Sequence, residues 1–354
     1  MMNFAFVIHP LDVGLVSVAF KEPNLLHKKN SLVKKAFEWL PSFKCSHITG
    51  IKSKQGITVE GDLMYVSLLP EQIITMDEKF VLSRVIDAGK IAQENGAGIL
   101  GLGAYAAQVG KKGVLIARNL GIPVTTGTHY TIYTAIQSVL VAAHKMDIDV
   151  KSSTVAVVGA TGGIGRLCTE YFADKCRRLL LVARNMTKLE SLTKKIPNAQ
   201  IQTDVKKAMD EADICVMSTT TPEPLVDVED LRPGSLVCDI SRPRNVSMKN
   251  PRRRSDVLVI DGGIVQPPGE NVDFNFYFGL QRGLAYACMA ETIILAMEGR
   301  KENYSIGGDV LLKKVLEIGR LGEKHGFKLA RIMSFDSEVS ASAFRRLKPT
   351  KLTA

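Results

Sequence analysis

The spacing of hydrophobic positions along the chain alternates between the period of strands and the period of helices. The runs at 4–10 (FAFVIHP) and 56–69 (GITVEGDLMYVSLL) predict buried strands, whereas 80–96 (FVLSRVIDAGKIAQENG) has helical spacing. The glycine- and alanine-rich stretch at 97–110 allows two readings. Its small residues indicate either close backbone packing or a narrow slot for a ligand. The first 125 residues therefore predict a mixed α/β region.

A second pattern begins after a helix-like run at 128–148. A polar link at 147–153 marks the boundary, and strand-like runs then alternate with helical ones. The predicted strands lie at 154–159, 178–184, 199–203, 212–219, 235–241 and 256–262. Such alternation is typical of a doubly wound parallel sheet, the Rossmann type of α/β fold.

From 271 onward the pattern is mainly helical to about 333. We therefore predict an N-terminal α/β substrate domain at 1–150, a nucleotide-binding Rossmann domain at 151–270 and a helical C-terminal segment at 271–354. Two long helices of this last segment, one of which carries a cysteine, are expected to pack back on both domains.

Composition narrows the class of protein. The hydrophobic fraction of 45% and the charged fraction of 23% are those of an ordinary globular protein. The six cysteines are scattered without a CxxC pair, which argues against a disulfide scaffold and a zinc site and indicates a reducing cytoplasm. No apolar run reaches the length of a membrane span, and the N-terminus lacks the basic region of a signal peptide.

The net charge of +10 indicates either a solvated basic surface or an acidic partner. The basic clusters at 251–255 and 344–351 have no interleaved aromatic residues, so we expect no nucleic-acid site there. An acidic carrier protein or a phosphorylated cofactor remains compatible with the charge.

The stretch VVGATGGIGRL carries the clearest chemical motif of the chain. It follows a strand, opens a helix and has the GxxGxxG spacing of a dinucleotide-binding loop. In such a loop the glycines make the turn, admit the diphosphate and let helix and strand pack closely. The predicted cofactor-binding residues of the loop are Gly159, Ala160, Thr161, Gly162, Gly163, Ile164 and Gly165.

The residues at the end of the strand that follows the loop predict whether NAD or NADP binds. Sites for NAD place a carboxylate about 20 residues after the loop to hold the ribose 2′-hydroxyl. Here that place holds Arg184 and Asn185, with Lys188 close by and no carboxylate before Glu190. A guanidinium pairs with a 2′-phosphate, so these residues predict NADPH.

Cys288 is the first candidate nucleophile, although its surroundings by themselves favour packing. It lies in an apolar, helix-like run at 282–300, and free cysteines are commonly buried as small hydrophobes. Motifs along the whole chain favour a reactive role for Cys288 instead. They are SLLPEQ (67–72), PVTTG (123–127), LVARN (181–185), DGGIV (261–265), AYACMAETIILAMEG (285–299), NYSIG (303–307) and KHGF (324–327).

With these motifs the chain resembles the long-chain acyl-[acyl-carrier-protein] reductases, the aldehyde-forming enzymes of cyanobacteria. The resemblance implies reduction of a fatty acyl thioester with NADPH through an acyl-cysteine intermediate, with Cys288 as nucleophile. Candidates for the acid or base are His129 and Tyr130, although the histidine stands one place earlier than in the family motif. Backbone N–H groups of the GILGLG or DGGIV turn are candidates for holding the oxyanion.

The partner implied by the resemblance is an acidic acyl carrier protein or acyl-CoA, and the oligomeric state stays open. Two alternatives remain. One is an oxidoreductase like the shikimate/quinate dehydrogenases or the glutamyl-tRNA reductases, although the SNVTxPxK pattern is absent and Cys45 is the one N-terminal cysteine. The other is a non-catalytic NADP(H)-binding sensor, in which Cys288 is inert.

Overall fold

The computed structural model describes residues 2–221, 223–248, 254–308, 310–335 and 337–347. The basic clusters at 251–255 and 344–351 lie partly outside these residues. The chain divides into two compact units. The first comprises Met1–Tyr130, Val265–Asp309 and Leu316–Lys328, and the second comprises Thr131–Ile264, Val310–Val315 and Leu329–Ala354.

The first unit is built on a five-stranded sheet. Its order is Phe43–Lys52, Thr58–Tyr65, Asn3–Ile8, Ala97–Leu102 and Val124–Thr125. The last four strands are parallel, and Phe43–Lys52 is an antiparallel edge strand. This arrangement places the carboxyl ends of four strands on one edge of the sheet.

Helix Glu78–Glu94 shows how the pattern of apolar residues fixes the packing of this unit. Asp77 caps its N-terminus by accepting a hydrogen bond from the Phe80 N–H at 2.9 Å. Val81, Val85 and Ala88 recur on one face, are buried and pack in the core against the sheet. The other α-helices of this unit lie at Val13–Ala19, Asn30–Trp39, Pro70–Thr75, Val109–Lys112, Val114–Ala117 and Ala287–Met297.

The second unit has a six-stranded, all-parallel sheet. In spatial order the strands are Leu258–Asp261, Leu236–Asp239, Ile214–Met217, Thr154–Val158, Arg178–Val182 and Ala199–Ile201. Numbered along the chain this order is 6-5-4-1-2-3, the Rossmann order. Helices Gly163–Phe172, Met186–Thr193 and Val205–Glu211 connect the first four strands, so the predicted doubly wound fold is confirmed.

Alternate residues of the second unit's strands enter two separate cores, one on each face of the sheet. Val155 and Val157 belong to one core, whereas Ala156 and Val158 belong to the other. A sheet covered on both faces needs strands that are apolar throughout, which is why these strands read as continuous runs. The long helix Thr128–Lys145 contributes its residues from Ile132 onward to the first of these cores.

The remaining elements are short or follow the second sheet. Helices Leu312–His325 and Ala341–Leu347 and 3₁₀ turns Pro23–His27, Ala104–Gln108, Val150–Ser152 and Val228–Asp230 complete the helical set. Short strands lie at Val226–Asp227, Val246–Ser247, Ile264–Gln266, Ala285–Tyr286, Lys328–Leu329, Met333–Ser334 and Ser337–Glu338. No helix within the described ranges combines the length and apolar character that crossing a membrane requires.

Two features differ from the sequence-based expectations. The chain between 270 and 284 is not helical, because Asn275, Gly279 and Gly283 adopt positive φ, which an α-helix excludes. The units also divide the chain elsewhere than at 150 and 270. Packing in the second unit's core draws the helix from Thr131 onward into that unit, and the segment predicted as 271–354 is shared between the two units.

Candidate active site

Cys288 differs from every other residue of its helix. The helix Ala287–Met297, which we name the cysteine helix, buries all of its other residues, whereas Cys288 is only half-buried. It is the second residue of the helix, where backbone N–H groups have no acceptor within the helix. The residue therefore combines partial exposure with a position near a helix N-terminus.

The thiol lies at the carboxyl edge of the first unit's sheet. Two turns that follow parallel strands reach it, the one after Ala97–Leu102 through Ala104 and the one after Val124–Thr125 through Gly127. In open α/β sheets, ligands bind outside the carboxyl ends of the strands. The position of Cys288 is thus the position expected of a ligand-binding residue.

Two glycines let the cysteine helix approach the sheet and its turns. A Cβ on Gly127, which has φ +71°, would lie 2.2 Å from the Cα of Cys288. A Cβ on Gly101 would lie 2.1 Å from the hydroxyl oxygen of Thr292. Of the two readings of the glycine-rich stretch at 97–110, close packing is therefore the one that the structure shows at Gly101.

The thiol of Cys288 is neutral in this arrangement. Burial raises its pKa to about 12, and the nearby carboxyl of Glu291 acts in the same direction. The backbone N–H groups of Met289 and Ala104 act in the opposite direction, since they favour the thiolate. Formation of the thiolate therefore requires a further change, such as removal of the proton by a base.

A buried histidine holds the turn that contains Ala104. The His9 Nδ1 contacts the Pro10 carbonyl oxygen at 2.9 Å, and its Nε2 contacts the Tyr105 N–H at 3.0 Å. Because a carbonyl accepts and an N–H donates, Nδ1 carries the proton and Nε2 accepts. Burial lowers the pKa of His9 to about 4, so the ring is neutral. His9 therefore fixes the backbone beside the Cys288 sulfur, where Ala104 has φ +45°.

Glu291 lies one helical turn after Cys288 and joins three segments of the first unit. Its buried carboxylate accepts hydrogen bonds from the hydroxyls of Thr125 at 2.5 Å and Ser305 at 2.7 Å, and from the Tyr130 N–H at 2.8 Å. Burial raises the pKa of Glu291, whereas these hydrogen bonds lower it. The residue thus ties the turn around Gly127 to the cysteine helix.

The side chains of His129 and Tyr130 are buried in the first unit. The His129 Nδ1 is hydrogen bonded to the Ser305 hydroxyl, and its ring centroid lies 5.0 Å from that of Tyr304. Tyr130 packs against Phe327, with ring centroids 6.2 Å apart. Both residues contribute to the scaffold behind Cys288, and their assignment as acid or base stays a prediction.

The sequence analysis did not single out His9, Ala104, Glu291 or Ser305. Glu291 carried a usable signal, since it is the one charged residue in the apolar run AYACMAETIILAM. A lone carboxylate in a buried helix needs several donors. His9 had a weaker signal, as a histidine at the end of a buried strand.

The glycine loop of the second unit, residues 159–165, has the geometry that its spacing predicts. Gly159 has φ +88°, and its N–H and that of Ala160 donate to the Val182 carbonyl at 2.8 and 3.1 Å. A Cβ on Gly165 would lie 2.2 Å from the Gly159 carbonyl oxygen. The first and last glycines therefore serve the turn and the packing of helix on strand.

The middle of the loop is open. Gly162 is exposed and caps helix Gly163–Phe172, and the closest neighbour of a Cβ added there is the Gly159 oxygen at 3.2 Å. In the first turn of the helix the N–H groups of Gly163, Ile164 and Gly165 have no intrahelical acceptor. These donors suit a diphosphate, while the N–H groups of Gly159 and Ala160 are already engaged.

Arg184 and Lys188 are exposed just beyond strand Arg178–Val182, whose last residue holds the glycine loop. Asn185 has a structural role in addition to its predicted one, because its side chain accepts the Lys188 N–H at 2.9 Å and caps the next helix. Across the residues that the structure describes, no group of three potential ligands could hold a metal ion.

Comparisons with known proteins identify a family match within the second unit. Residues 141–261 match the family model of shikimate / quinate 5-dehydrogenases. The chain is also 27% identical over 241 residues to a glutamyl-tRNA reductase of a Picosynechococcus species, an alignment that covers 65% of this chain and 52% of that protein. The second unit is thus similar to the nucleotide-binding domains of NAD(P)-dependent oxidoreductases.

Two relatives extend over more of the chain. A long-chain acyl-[acyl-carrier-protein] reductase of Synechococcus elongatus is 28% identical over 293 residues, which cover 78% of this chain and 85% of that protein. The aminotransferase PigE of a Serratia species is 30% identical over 367 residues. That alignment covers 98% of this chain and 42% of PigE, so the chain spans less than half of that relative.

Proposed function

We propose that the protein reduces a long-chain fatty acyl thioester to the aldehyde with NADPH, by way of an acyl group carried on Cys288. The observation that carries the proposal is the position of Cys288, the one residue of its helix that is not fully buried, where parallel strands end. The similarity to the acyl-[acyl-carrier-protein] reductase supports the choice of reaction.

In the first step the Cys288 thiolate attacks the carbonyl carbon of the thioester. A carbon–sulfur bond forms to Cys288, the bond to the carrier sulfur breaks, and the carrier leaves as a thiol after taking up a proton. NADPH, when bound, would supply the hydride that reduces the acyl carbon. The resulting adduct collapses to the aldehyde as its bond to Cys288 breaks, which restores the thiolate.

The residues around Cys288 assist the change in charge during acyl transfer. The Ala104 N–H, which faces the sulfur, provides a donor for the oxyanion, and the N-terminus of the cysteine helix favours negative charge there. His9 keeps this donor in place through Tyr105. This assignment favours the first of the two glycine-rich turns as the oxyanion site.

The open part of the glycine loop fits the diphosphate of a dinucleotide. The N–H groups of the first helical turn are available as donors, and the exposed Gly162 leaves room for the phosphates beside them. Arg184 and Lys188 supply positive charge for a 2′-phosphate, and this charge supports NADPH over NADH. An acyl carrier protein, which is acidic, or acyl-CoA would present the thioester, in line with the net charge of +10.

The proposal is tested by incubating the purified chain with palmitoyl thioesters of coenzyme A and of acyl carrier protein, without NADPH. Mass spectrometry of a peptide digest is expected to find a palmitoyl group on Cys288 and none on Cys45, the other half-exposed cysteine. Addition of NADPH is expected to discharge the adduct as hexadecanal. Absence of the adduct with both thioesters, in a chain that binds NADPH, would contradict the proposal and favour a nucleotide sensor.

A further inference from the structure

The segment 18–40 exposes an unusual number of large apolar side chains. Among the described residues twelve such side chains are exposed, and half of them lie in this segment. They are Val18, Phe20, Leu26, Leu32, Trp39 and Leu40. Single exposed apolar residues are ordinary, whereas a concentration of them marks an interaction surface.

These side chains belong to elements that pack together. Helices Val13–Ala19 and Asn30–Trp39 and the 3₁₀ turn Pro23–His27 all contribute to one small apolar cluster, through Val16, Leu25, Val33 and Phe37. The three elements therefore pack around one cluster, and each also carries an exposed apolar side chain. We name the outer side chains Val18, Leu26, Leu32 and Trp39 the outer apolar patch.

Helix Asn30–Trp39 has two apolar faces. Val33 and Phe37 point into the cluster, whereas Leu32 and Trp39 are 59% and 78% exposed. Residues seven apart lie on the same side of an α-helix, so Leu32 and Trp39 form one outer stripe. Lys35, which is exposed, lies on this same stripe between them.

Basic residues surround the patch. Residues 18–40 contain five lysines and two glutamates, and Lys21, Lys28 and Lys29 are exposed in the turns between the helical elements. Lysine side chains lay their aliphatic stems on an apolar surface while the ammonium groups reach outward. Exposed tryptophan and leucine next to lysines is the pattern of helices that lie in the interface of an anionic bilayer.

We propose that the outer apolar patch docks the protein on the surface of an anionic phospholipid bilayer. Leu32 and Trp39 enter the boundary between headgroups and acyl chains, and the lysines contact the lipid phosphates. Leu32, Lys35 and Trp39 present apolar and basic groups on one helical stripe, which fits the apolar and anionic layers of a bilayer surface. The proposal does not depend on the reaction at Cys288.

Trp39 provides the measurement, because it is the single tryptophan of the chain. Its fluorescence is recorded while vesicles of phosphatidylcholine, or of phosphatidylcholine and phosphatidylglycerol in equal parts, are added to the full chain. The anionic vesicles are expected to shift the emission to shorter wavelength and to sediment the protein, and added salt is expected to weaken both effects. Neutral vesicles are expected to bind at least about tenfold more weakly.

Matched variants locate the contact. Leu32→Ser is expected to weaken cosedimentation with anionic vesicles about tenfold, because a large apolar contact is lost. Leu316→Ser is the control, since Leu316 is also an exposed helical leucine of the first unit, at 44% exposure. Replacement of Lys28, Lys29 and Lys35 by Gln is expected to weaken binding about a hundredfold. Circular dichroism and melting temperature are expected to match those of the unaltered chain.

Three results would overturn the proposal. The first is an unchanged Trp39 spectrum with anionic vesicles. The second is a spectral shift with apo acyl carrier protein but not with vesicles, which would make the patch a carrier-docking surface. The third is a concentration-dependent shift without any lipid, accompanied by dimers in sedimentation velocity, which would make it a contact between two copies of the chain.

Discussion

The glycine loop and the cysteine site differ in how the chain builds them. The loop is seven consecutive residues that run from the end of one strand into the first turn of the next helix, and its geometry follows from three glycines. The cysteine site draws on segments around His9, Ala104, Gly127, Cys288 and Ser305, which are far apart in the sequence. A local motif therefore shows both its presence and its geometry in the sequence, whereas a dispersed site shows only its individual residues.

The two sites also differ electrostatically. The loop offers unpaired helix-turn donors that suit an anion. The cysteine site holds a neutral thiol, a neutral buried histidine and a carboxylate with several donors. The first site is ready for its ligand, while the second needs a proton to move before it reacts.

The largest effect is expected when the Cys288 sulfur is removed, because this change affects the cysteine site and not the glycine loop. Cys288→Ser is expected to lower aldehyde formation by at least about 10³-fold, because no acyl-enzyme forms. Its affinity for NADPH, measured by fluorescence titration, is expected to stay unchanged. Cys45→Ser is the control and is expected to keep full activity. Undiminished aldehyde formation by the Cys288 variant would refute the proposed role of the thiol.

A second effect concerns how the buried His9 makes the free energy of unfolding depend on pH. Its pKa of about 4 in the folded chain lies below the ordinary value of about 6.5, so the folded state favours the neutral ring. The stabilising contribution is complete above pH 6.5 and is lost as the pH falls toward 4, by about 3 kcal/mol in all. Urea unfolding of the unaltered chain and of His9→Gln across this range measures the difference.

The His9→Gln variant is expected to lose this part of the pH dependence, because glutamine does not titrate. His27→Gln, which replaces an exposed histidine, serves as the control and is expected to keep the slope of the unaltered chain. If the free energy of unfolding changes equally with pH in the His9 variant and in the unaltered chain, the His9 ring does not stay neutral in the fold.

A third effect uses one glycine from each site, chosen because each lies very close to the backbone of another residue. A Cβ at Gly165 or at Gly127 meets another backbone atom at 2.2 Å, so each substitution by alanine is expected to destabilise the protein by about 2 kcal/mol. Gly165→Ala is expected to weaken NADPH binding and to leave alkylation of Cys288 by iodoacetamide unchanged. Gly127→Ala is expected to change alkylation of Cys288 and to leave NADPH binding unchanged.

Gly163→Ala is the matched control within the loop, because its Cβ would meet its closest neighbour at an ordinary 3.5 Å. Its melting temperature is expected to equal that of the unaltered chain. Loss of both NADPH binding and Cys288 alkylation in either of the other two variants would show that the sites are not independent.

The smallest expected effect sharpens the choice of nucleotide. Arg184→Ala is expected to weaken NADPH binding about tenfold and to leave NADH binding unchanged, because only the 2′-phosphate interaction is lost. Lys195→Ala, an exposed cation beyond the next helix, is the control. An equal loss of affinity for both nucleotides would mean that Arg184 does not distinguish them.

The sequence by itself determined the doubly wound sheet, the glycine loop and the identity of Cys288 as a candidate. Strands buried on both faces read as apolar runs, and the steric demands at Gly159 and Gly165 are local, so neighbouring residues carry the information. The family resemblance was needed to prefer a reactive role for Cys288, because its own helix is typical of packing.

Only the tertiary structure decided which distant residues surround the thiol. His9 and Ala104 reach the site because their parallel strands end on one edge of the sheet, and Glu291 joins it through donors from two other segments. Sequence spacing does not encode such meetings, since they depend on strand order and on how closely helix and sheet approach. The fold also leaves Cys288 partly exposed while its neighbours along the helix are buried.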